Sequence, residues 1–174
     1  SAANKPNVLF IPVDDLNHWV GHLGRNQQTI TPNLDRLAAR GVSFSRAYCA
    51  APACNPSRAP LMSGRRPFTT GIYQNRDPWK AKIAPEQTLN VHFRNAGYST
   101  GASGKIYHGG VGRPEDWDAV YSRPKDMRKG KAGKSGGAGK LAYLASVSFA
   151  GAQLGRLLDE MDAGGHWKNT IVVL

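Results

Sequence analysis

Thr88-Leu89-Asn90-Val91-His92-Phe93-Arg94-Asn95-Ala96-Gly97 leads directly into Tyr98-Ser99-Thr100-Gly101-Ala102-Ser103. Threonine is a good helix cap, and glycine stops a helix by accepting a left-handed conformation. Leu89, Phe93 and Ala96 fall on one helical face and form the expected buried stripe. Tyr98–Ser103 reads as the strand that follows. A second stretch repeats the order. Thr31 caps, Pro32 takes the first position, Leu34, Leu37 and Ala38 give an apolar face, and Gly41 ends the helix. Val42–Tyr48 alternates as a strand would. Upstream, Pro6–Val13 is a continuous apolar run, the pattern of a strand buried on both faces of a parallel sheet. Strand and helix in alternation predict an α/β domain with a mostly parallel sheet and right-handed crossovers.

Between these elements lies Cys54-Asn55-Pro56-Ser57-Arg58-Ala59-Pro60-Leu61-Met62-Ser63-Gly64-Arg65-Arg66. Pro56 suits the first helical position and Gly64 the helix end. Cys54 then stands at or just before a helix N-terminus, where the dipole favours an ionised thiol and a nearby anion. Arg58 follows one turn later on the same face. A nucleophile beside an anion site suits attack on a sulfate or phosphate ester. A buried inert cysteine before an ordinary helix is the competing reading, and buried cysteine is common. Cys49 and Cys54 are the two cysteines of the chain and could also pair across a short loop.

Two further sites flank this one. The Pro6–Val13 strand ends in Asp14-Asp15, and ligands of open α/β sheets gather at such strand ends. Crowded carboxylates call for a cation, although Asp-Asp-Leu-Asn equally suits a turn or a cap. After the Tyr98–Ser103 strand, Gly104-Lys105-Ile106-Tyr107-His108 places a fixed positive charge three residues from a proton carrier.

The whole pattern resembles the type I sulfatases. The stretch Cys54-x-Pro56-Ser57-Arg58, closed by Ser63-Gly64-Arg65, is similar to their signature. Arg65-Arg66-Pro67 resembles the iduronate-2-sulfatase-like branch. The resemblance covers Lys5 to about Tyr121 and again Leu141–Leu174. It implies an alkaline-phosphatase-like fold with a mixed, mostly parallel sheet between helices. It implies that Cys54 is oxidised to formylglycine by a formylglycine-generating enzyme and therefore does not pair with Cys49. Arg58 would hold the hydrated aldehyde, and Lys105 and His108 would bind the sulfate group. Asp14, Asp15 and modified Cys54 would ligate calcium. The Thr31 helix and the strand after it would be scaffold. The activity implied is hydrolysis of a sulfate ester, on a sulfated carbohydrate, in a periplasmic or secreted setting. Phosphonate or phosphodiester hydrolysis on the same scaffold is the nearest alternative, and a truncated polyanion-binding chain without catalysis is another. In the family, the strand equivalent to Asn169–Leu174 continues into further metal ligands, and a further lysine and histidine come from elsewhere. The 174 residues are thus expected to carry half the site and to bind calcium weakly alone.

Composition sets the remaining bounds. Lysine and arginine total 23 against 12 acids, a net charge of +11. Within Arg123–Lys140, seven basic residues face one acid among five glycines. That composition predicts a basic linker between parts 1–122 and 141–174 of one α/β domain. Attraction to polyanions is the other reading, but the aromatics of a nucleic-acid platform are missing, so no nucleic-acid partner is expected. No run is long enough to span a bilayer. Ser1–Pro6 is small and polar and resembles a mature end left after signal removal. Leu144, Val147, Gly151, Leu154, Leu158 and Met161 recur at helical spacing, with Arg156 and Glu160 as an exposed pair. Thr69–Asn75 reads as loop, and Trp79 either lines a cleft or packs. His18, His22, His92 and His166 match no site and read as structural or surface residues.

Overall fold

A computed structural model describes residues 5–121 and 139–174, with side chains described from 144 and then from 147 onward in the second segment. The elements in chain order are β1 (Asn7–Phe10), α1 (Pro32–Arg40), α2 (Cys54–Ser63), α3 (Pro67–Thr70), α4 (Trp79–Lys82), α5 (Leu89–Asn95), β2 (Gly101–Ser103), β3 (Ala119–Tyr121), α6 (Gly139–Ala163) and β4 (Thr170–Val173). They divide into two compact units, residues 5–46 with 139–174 and residues 47–121.

In the first unit β1 and β4 pair in parallel, Asn7 opposite Thr170 and Phe10 opposite Val173. The strand expected over Pro6–Val13 is shorter, and Val8 and Val13 are more than a third exposed. A strand is buried on both faces only when covered on both, and β1 has one neighbour among the described residues. Val20, Leu34, Leu154 and Leu158 form the core, with Ile11, Leu16, Leu23, Leu37 and Trp167 against it. The α6 stripe is as the spacing predicts: Val147, Gly151, Leu154, Leu158 and Met161 are buried and Leu144 is half-buried. Gly155 joins it, because a Cβ there would come within 2.3 Å of the Asn33 amide. Asn33 in turn donates to the Gly151 carbonyl at 3.0 Å. Arg36 binds Asp159 at 2.7 Å and also Asp162, and Arg40 reaches Asp162 at 3.1 Å, so ion pairs clamp α1 to α6. Arg156 donates to Gln153 at 3.4 Å and not to Glu160 as the spacing suggested.

Thr31 precedes α1 as expected but caps nothing with its side chain. Its hydroxyl accepts from the Gly21 N–H at 2.7 Å and donates to Asp35 at 3.2 Å. Asp35 also accepts the His22 N–H at 2.8 Å, so these groups pin the single turn Gly21–Leu23 onto α1. Val42–Tyr48 forms no strand; Val42 is 81% and Phe44 79% exposed. Alternation supplies an apolar face, but a strand also needs a partner ladder and cover for that face.

The second unit holds a parallel pair β2–β3, with Gly101 opposite Ala119 and Ser103 opposite Tyr121. The observed strand β2 occupies only the last part of Tyr98–Ser103, and β3 carried too little apolar sequence to be foreseen. Ile72, Ile83, Ala59 and Met62 are buried to 2% exposure or less. Trp79 settles on packing: it is buried and stacks on Tyr107 with centroids 4.1 Å apart. Burial pushes the Tyr107 phenol up to about 12. Arg113 lies over the Trp79 ring at 5.0 Å and donates to the carbonyls of Lys80 and Ile83 at 2.5 and 2.6 Å. Gly112 permits this packing, since at φ 96° a Cβ would strike the Tyr107 ring. The helical turn Pro67–Thr70 takes in Thr69 and Thr70, the first two residues of the expected loop. On α5 the buried residues are Asn90 and Val91; Leu89 and Phe93 are half-buried and Ala96 is exposed, contrary to the predicted stripe. Asn90 is drawn inward because its amide donates to the buried Asp116 carbonyl at 3.0 Å. Thr88 stands at the cap position, but its hydroxyl donates back to Pro85 at 2.6 Å. The basic stretch expected to be a linker lies outside the described residues, except for Gly139 and Lys140 at the start of α6.

Candidate active site

Helix α2 begins at Cys54 itself, with Ala53 extended before it. Pro56 therefore occupies the third helical position, not the first. A proline there costs no hydrogen bond, because the N–H groups of that turn have no partner within the helix. Ser57 N–H makes the first internal bond, to Ala53 at 3.1 Å. Gly64 closes the helix at φ 68°, as its sequence position predicts. Pro60 lies inside the helix, which leaves the Pro56 carbonyl without its usual donor four residues on.

Asn55 fixes the N-terminal turn. It is 1% exposed. Its amide donates to the carbonyls of Gln74 and Asp77 at 3.0 and 2.9 Å, and to that of Asn75 at 3.5 Å. Its backbone N–H donates to the Asn75 side chain at 2.9 Å. One of the N–H groups expected to attract an anion is thus already used, and Pro56 has none. The charge beside Cys54 comes instead from Lys105, whose Nζ lies 3.3 Å from Cys54 Sγ. Arg58, 5% exposed, donates through Nη1 to the carbonyls of Lys105 and Ile106 at 2.6 and 3.1 Å. The arginine of α2 thereby fixes the backbone that carries the lysine. Cys54 and Lys105 are both half-buried, open enough for a small reactant. His108 is exposed in the turn closed by Tyr107 and Gly110, three residues beyond Lys105. Cys49 and Cys54 are both thiols, Cys49 exposed.

The structure therefore brings together Cys54, Arg58 and Lys105. It also adds Asn55, Asn75 and Asp77, which the sequence reading passed over. Asp77-Pro78 was a turn signal, but nothing in the sequence linked it to Asn55. Asp77 accepts the N–H groups of Tyr73 and Gln74 at 2.7 and 2.8 Å. The Gln74 bond, then that of Tyr73, holds its carboxyl below the usual value of 3.8. A depressed carboxyl contributes stability above its unfolded pKa and loses it as pH falls through the folded one. Proteolysis of the 73–77 loop is accordingly expected to accelerate as pH drops below about 4, and Asp77→Asn should remove that dependence. Limited digestion with an acid-active protease across that range checks it.

Asp14 and Asp15 lie exposed in the turn that follows β1 and its short continuation. Asp15 adopts a left-handed φ of 56°, uncommon for a residue other than glycine. Hard carboxylate oxygens fit a calcium ion by their chemistry. No group of three or more histidine, cysteine, aspartate or glutamate side chains converges among the described residues.

Comparison with known proteins gives the context. The family model described as Sulfatase matches residues 6–124. A sulfatase of Formosa agariphila is 43% identical over 111 residues, covering 60% of this chain and 22% of that protein. Iduronate 2-sulfatase of Mus musculus is 35% identical over 122 residues, covering 70% and 22%. Arylsulfatase A of Bos taurus is 42% identical over 116 residues, covering 64% and 22%. The chain thus spans about a fifth of the length of these curated relatives. Among solved structures, Ps i-CgsB in complex with k-i-k-neocarrahexaose matches with a TM-score of 0.56 at 38% identity, over 68% of this chain and 28% of that one. The phosphonate monoester hydrolase of Agrobacterium radiobacter matches with a TM-score of 0.57 at 24% identity, over 70% and 26%. These neighbours bear out the alkaline-phosphatase-like α/β fold, with parallel strands as expected. A match over residues 6–124 takes in both the strand before Asp14 and the helix that starts at Cys54, and with it this chain belongs to the sulfatase family.

Proposed function

We propose that the protein to which this chain belongs hydrolyses sulfate esters of a carbohydrate after conversion of Cys54 to formylglycine. The observation that carries this is the 3.3 Å approach of Lys105 Nζ to Cys54 Sγ, at the start of the helix that bears the family's signature. In the matured residue an oxygen on Cβ takes the place of Sγ. The hydrated aldehyde supplies an oxygen nucleophile and a second hydroxyl through which sulfate is later released. Lys105 then donates to an oxygen on Cβ and offers its charge to the bound ester. Arg58, through the 105–106 carbonyls, holds the lysine in register with α2. His108, in its exposed turn, is assigned proton transfer to the leaving alcohol. Asp14 and Asp15 would hold calcium, which when bound neutralises charge on sulfate oxygens.

Relatives named for iduronate and for N-acetylgalactosamine sulfate, and a neighbour crystallised with a neocarrahexaose, support a sulfated sugar as substrate. Maturation makes a formylglycine-generating enzyme a transient partner, and a periplasmic or secreted location accords with such substrates. Among the described residues no helix is long and apolar enough to cross a membrane. We also read 1–122 and 141–174 as parts of one α/β domain; the pairing of β1 with β4 supports this for residues 5–46 and 139–174.

Coexpression with a formylglycine-generating enzyme is expected to convert Cys54 to the aldehyde while Cys49 keeps its thiol. Mass spectrometry of the Ala47–Arg58 tryptic peptide reads this directly. In the whole protein to which the chain belongs, an aryl sulfate should then be turned over faster than an aryl phosphonate. An unmodified Cys54 despite active maturation machinery, or preference for the phosphonate, overturns the proposal.

A further inference from the structure

Cys54 and Lys105 form a pair of reactive side chains held at 3.3 Å. The backbone of Lys105 is fixed by two donations from a buried arginine on the helix that carries the cysteine. The helix turn under Cys54 is fixed by the Asn55 bonds to residues 74, 75 and 77. The backbones on both sides of the contact are therefore fixed within the folded unit. Both residues are half-buried, so a molecule the size of peroxide reaches them. Cys49, exposed, offers an internal contrast.

We infer that unmatured Cys54 is an oxidant-sensitive site, which hydrogen peroxide joins covalently to Lys105 as a sulfenamide. The thiolate form of Cys54 attacks one peroxide oxygen; the O–O bond breaks, leaving a sulfenic acid and hydroxide. The Lys105 ammonium gives a proton to that hydroxide and becomes a neutral amine beside the new electrophile. Nζ then attacks the sulfenic sulfur, the S–O bond breaks, and the expelled hydroxide takes the second proton from nitrogen. One peroxide is reduced, two waters leave, and sulfur is oxidised by two electrons. Proximity drives the closing step, since amine and sulfur are already within one side-chain adjustment. Sulfenic acids condense in this way with nearby nitrogen, and thiols reverse the product. On the reading of Cys54 as a formylglycine precursor, the linked form is withheld from maturation, because it has no free thiol. Reduction returns it. The cross-link itself does not depend on that reading.

The test uses the full 174-residue chain from a host without maturation machinery. It is treated with hydrogen peroxide, quenched and digested with trypsin under non-reducing conditions. The expected product is the Ala47–Arg58 peptide joined to one in which Lys105 is uncut, lighter by two hydrogens than the two together. It should disappear after dithiothreitol, in Lys105→Gln, in Cys54→Ser, and when peroxide is added in urea. Cys49→Ser should still give it. A Cys49–Cys54 disulfide, or Cys54 sulfinic acid with Lys105 cleaved normally, overturns the inference. Yields equal in urea and in buffer also overturn it, because the folded contact would then be irrelevant. The aldehyde assay on Cys54 is a separate measurement, so failure of one proposal does not imply failure of the other.

Discussion

Asn55→Asp is expected to remove about 4 kcal/mol of folding stability, among the largest losses available to a single isosteric change in this chain. The amide of Asn55 faces three carbonyl oxygens, of Gln74, Asn75 and Asp77, from a position 1% exposed to solvent. A carboxylate there has no proton to donate. It would be buried against three acceptors, or would have to bind a proton at a cost that rises with pH. Asn55→Ala removes the same donors without adding charge, and about 2–3 kcal/mol is expected because the carbonyls are left unsatisfied. Urea unfolding followed by intrinsic fluorescence, to which buried Trp79 contributes, measures both. The difference between the two variants should shrink as pH falls toward the carboxyl range. Two variants with the midpoint of the parent chain would show that Asn55 is not what anchors the α2 N-terminus.

Lys105→Ala is expected to lower kcat for an aryl sulfate by about 10²–10³-fold in a matured, active preparation, the usual effect of losing one preorganised charge at a reacting centre. The fold should survive, since the backbone carbonyl of residue 105 accepts from Arg58 whatever the side chain. Lys105→Arg should recover only part of the rate. It restores the charge, but its planar head is larger than the ammonium in a space set by a 3.3 Å contact. Michaelis constants and kcat measured together divide the effect between binding and chemistry. An unchanged kcat with intact folding would remove Lys105 from the reaction.

The two variants differ in where their cause was visible. Cys54, Arg58, Lys105 and the Asp14-Asp15 pair stand out in the sequence, because their chemistry is carried by residue type and short spacing. So does the α6 face, since a long helix repeats its pattern often enough to be unambiguous. So does the parallel order of the strands, which follows from alternation of strand and helix. The supporting shell was not legible. Asn55 looks like any residue in a helix first turn until the 74–77 loop closes over it. Trp79 had two readings until Tyr107 and Arg113 were seen against it.

The amino-acid sequence by itself determined the family and the fold class, and it singled out the candidate reactive residues, because these depend on local order and composition along the chain. Only the tertiary structure decided that the charge beside Cys54 is the Lys105 ammonium and that Arg58 serves through backbone carbonyls. It also decided that Val42–Tyr48 stays out of any ladder and that Asn90 turns inward on α5 while Ala96, just past its end, is exposed. Each of those outcomes is set by a partner more than ten residues away or by the lack of cover on an apolar face. A local pattern fixes which groups are available, whereas the distance between two groups remote in sequence is fixed only when hydrogen bonds and packing close the chain around them.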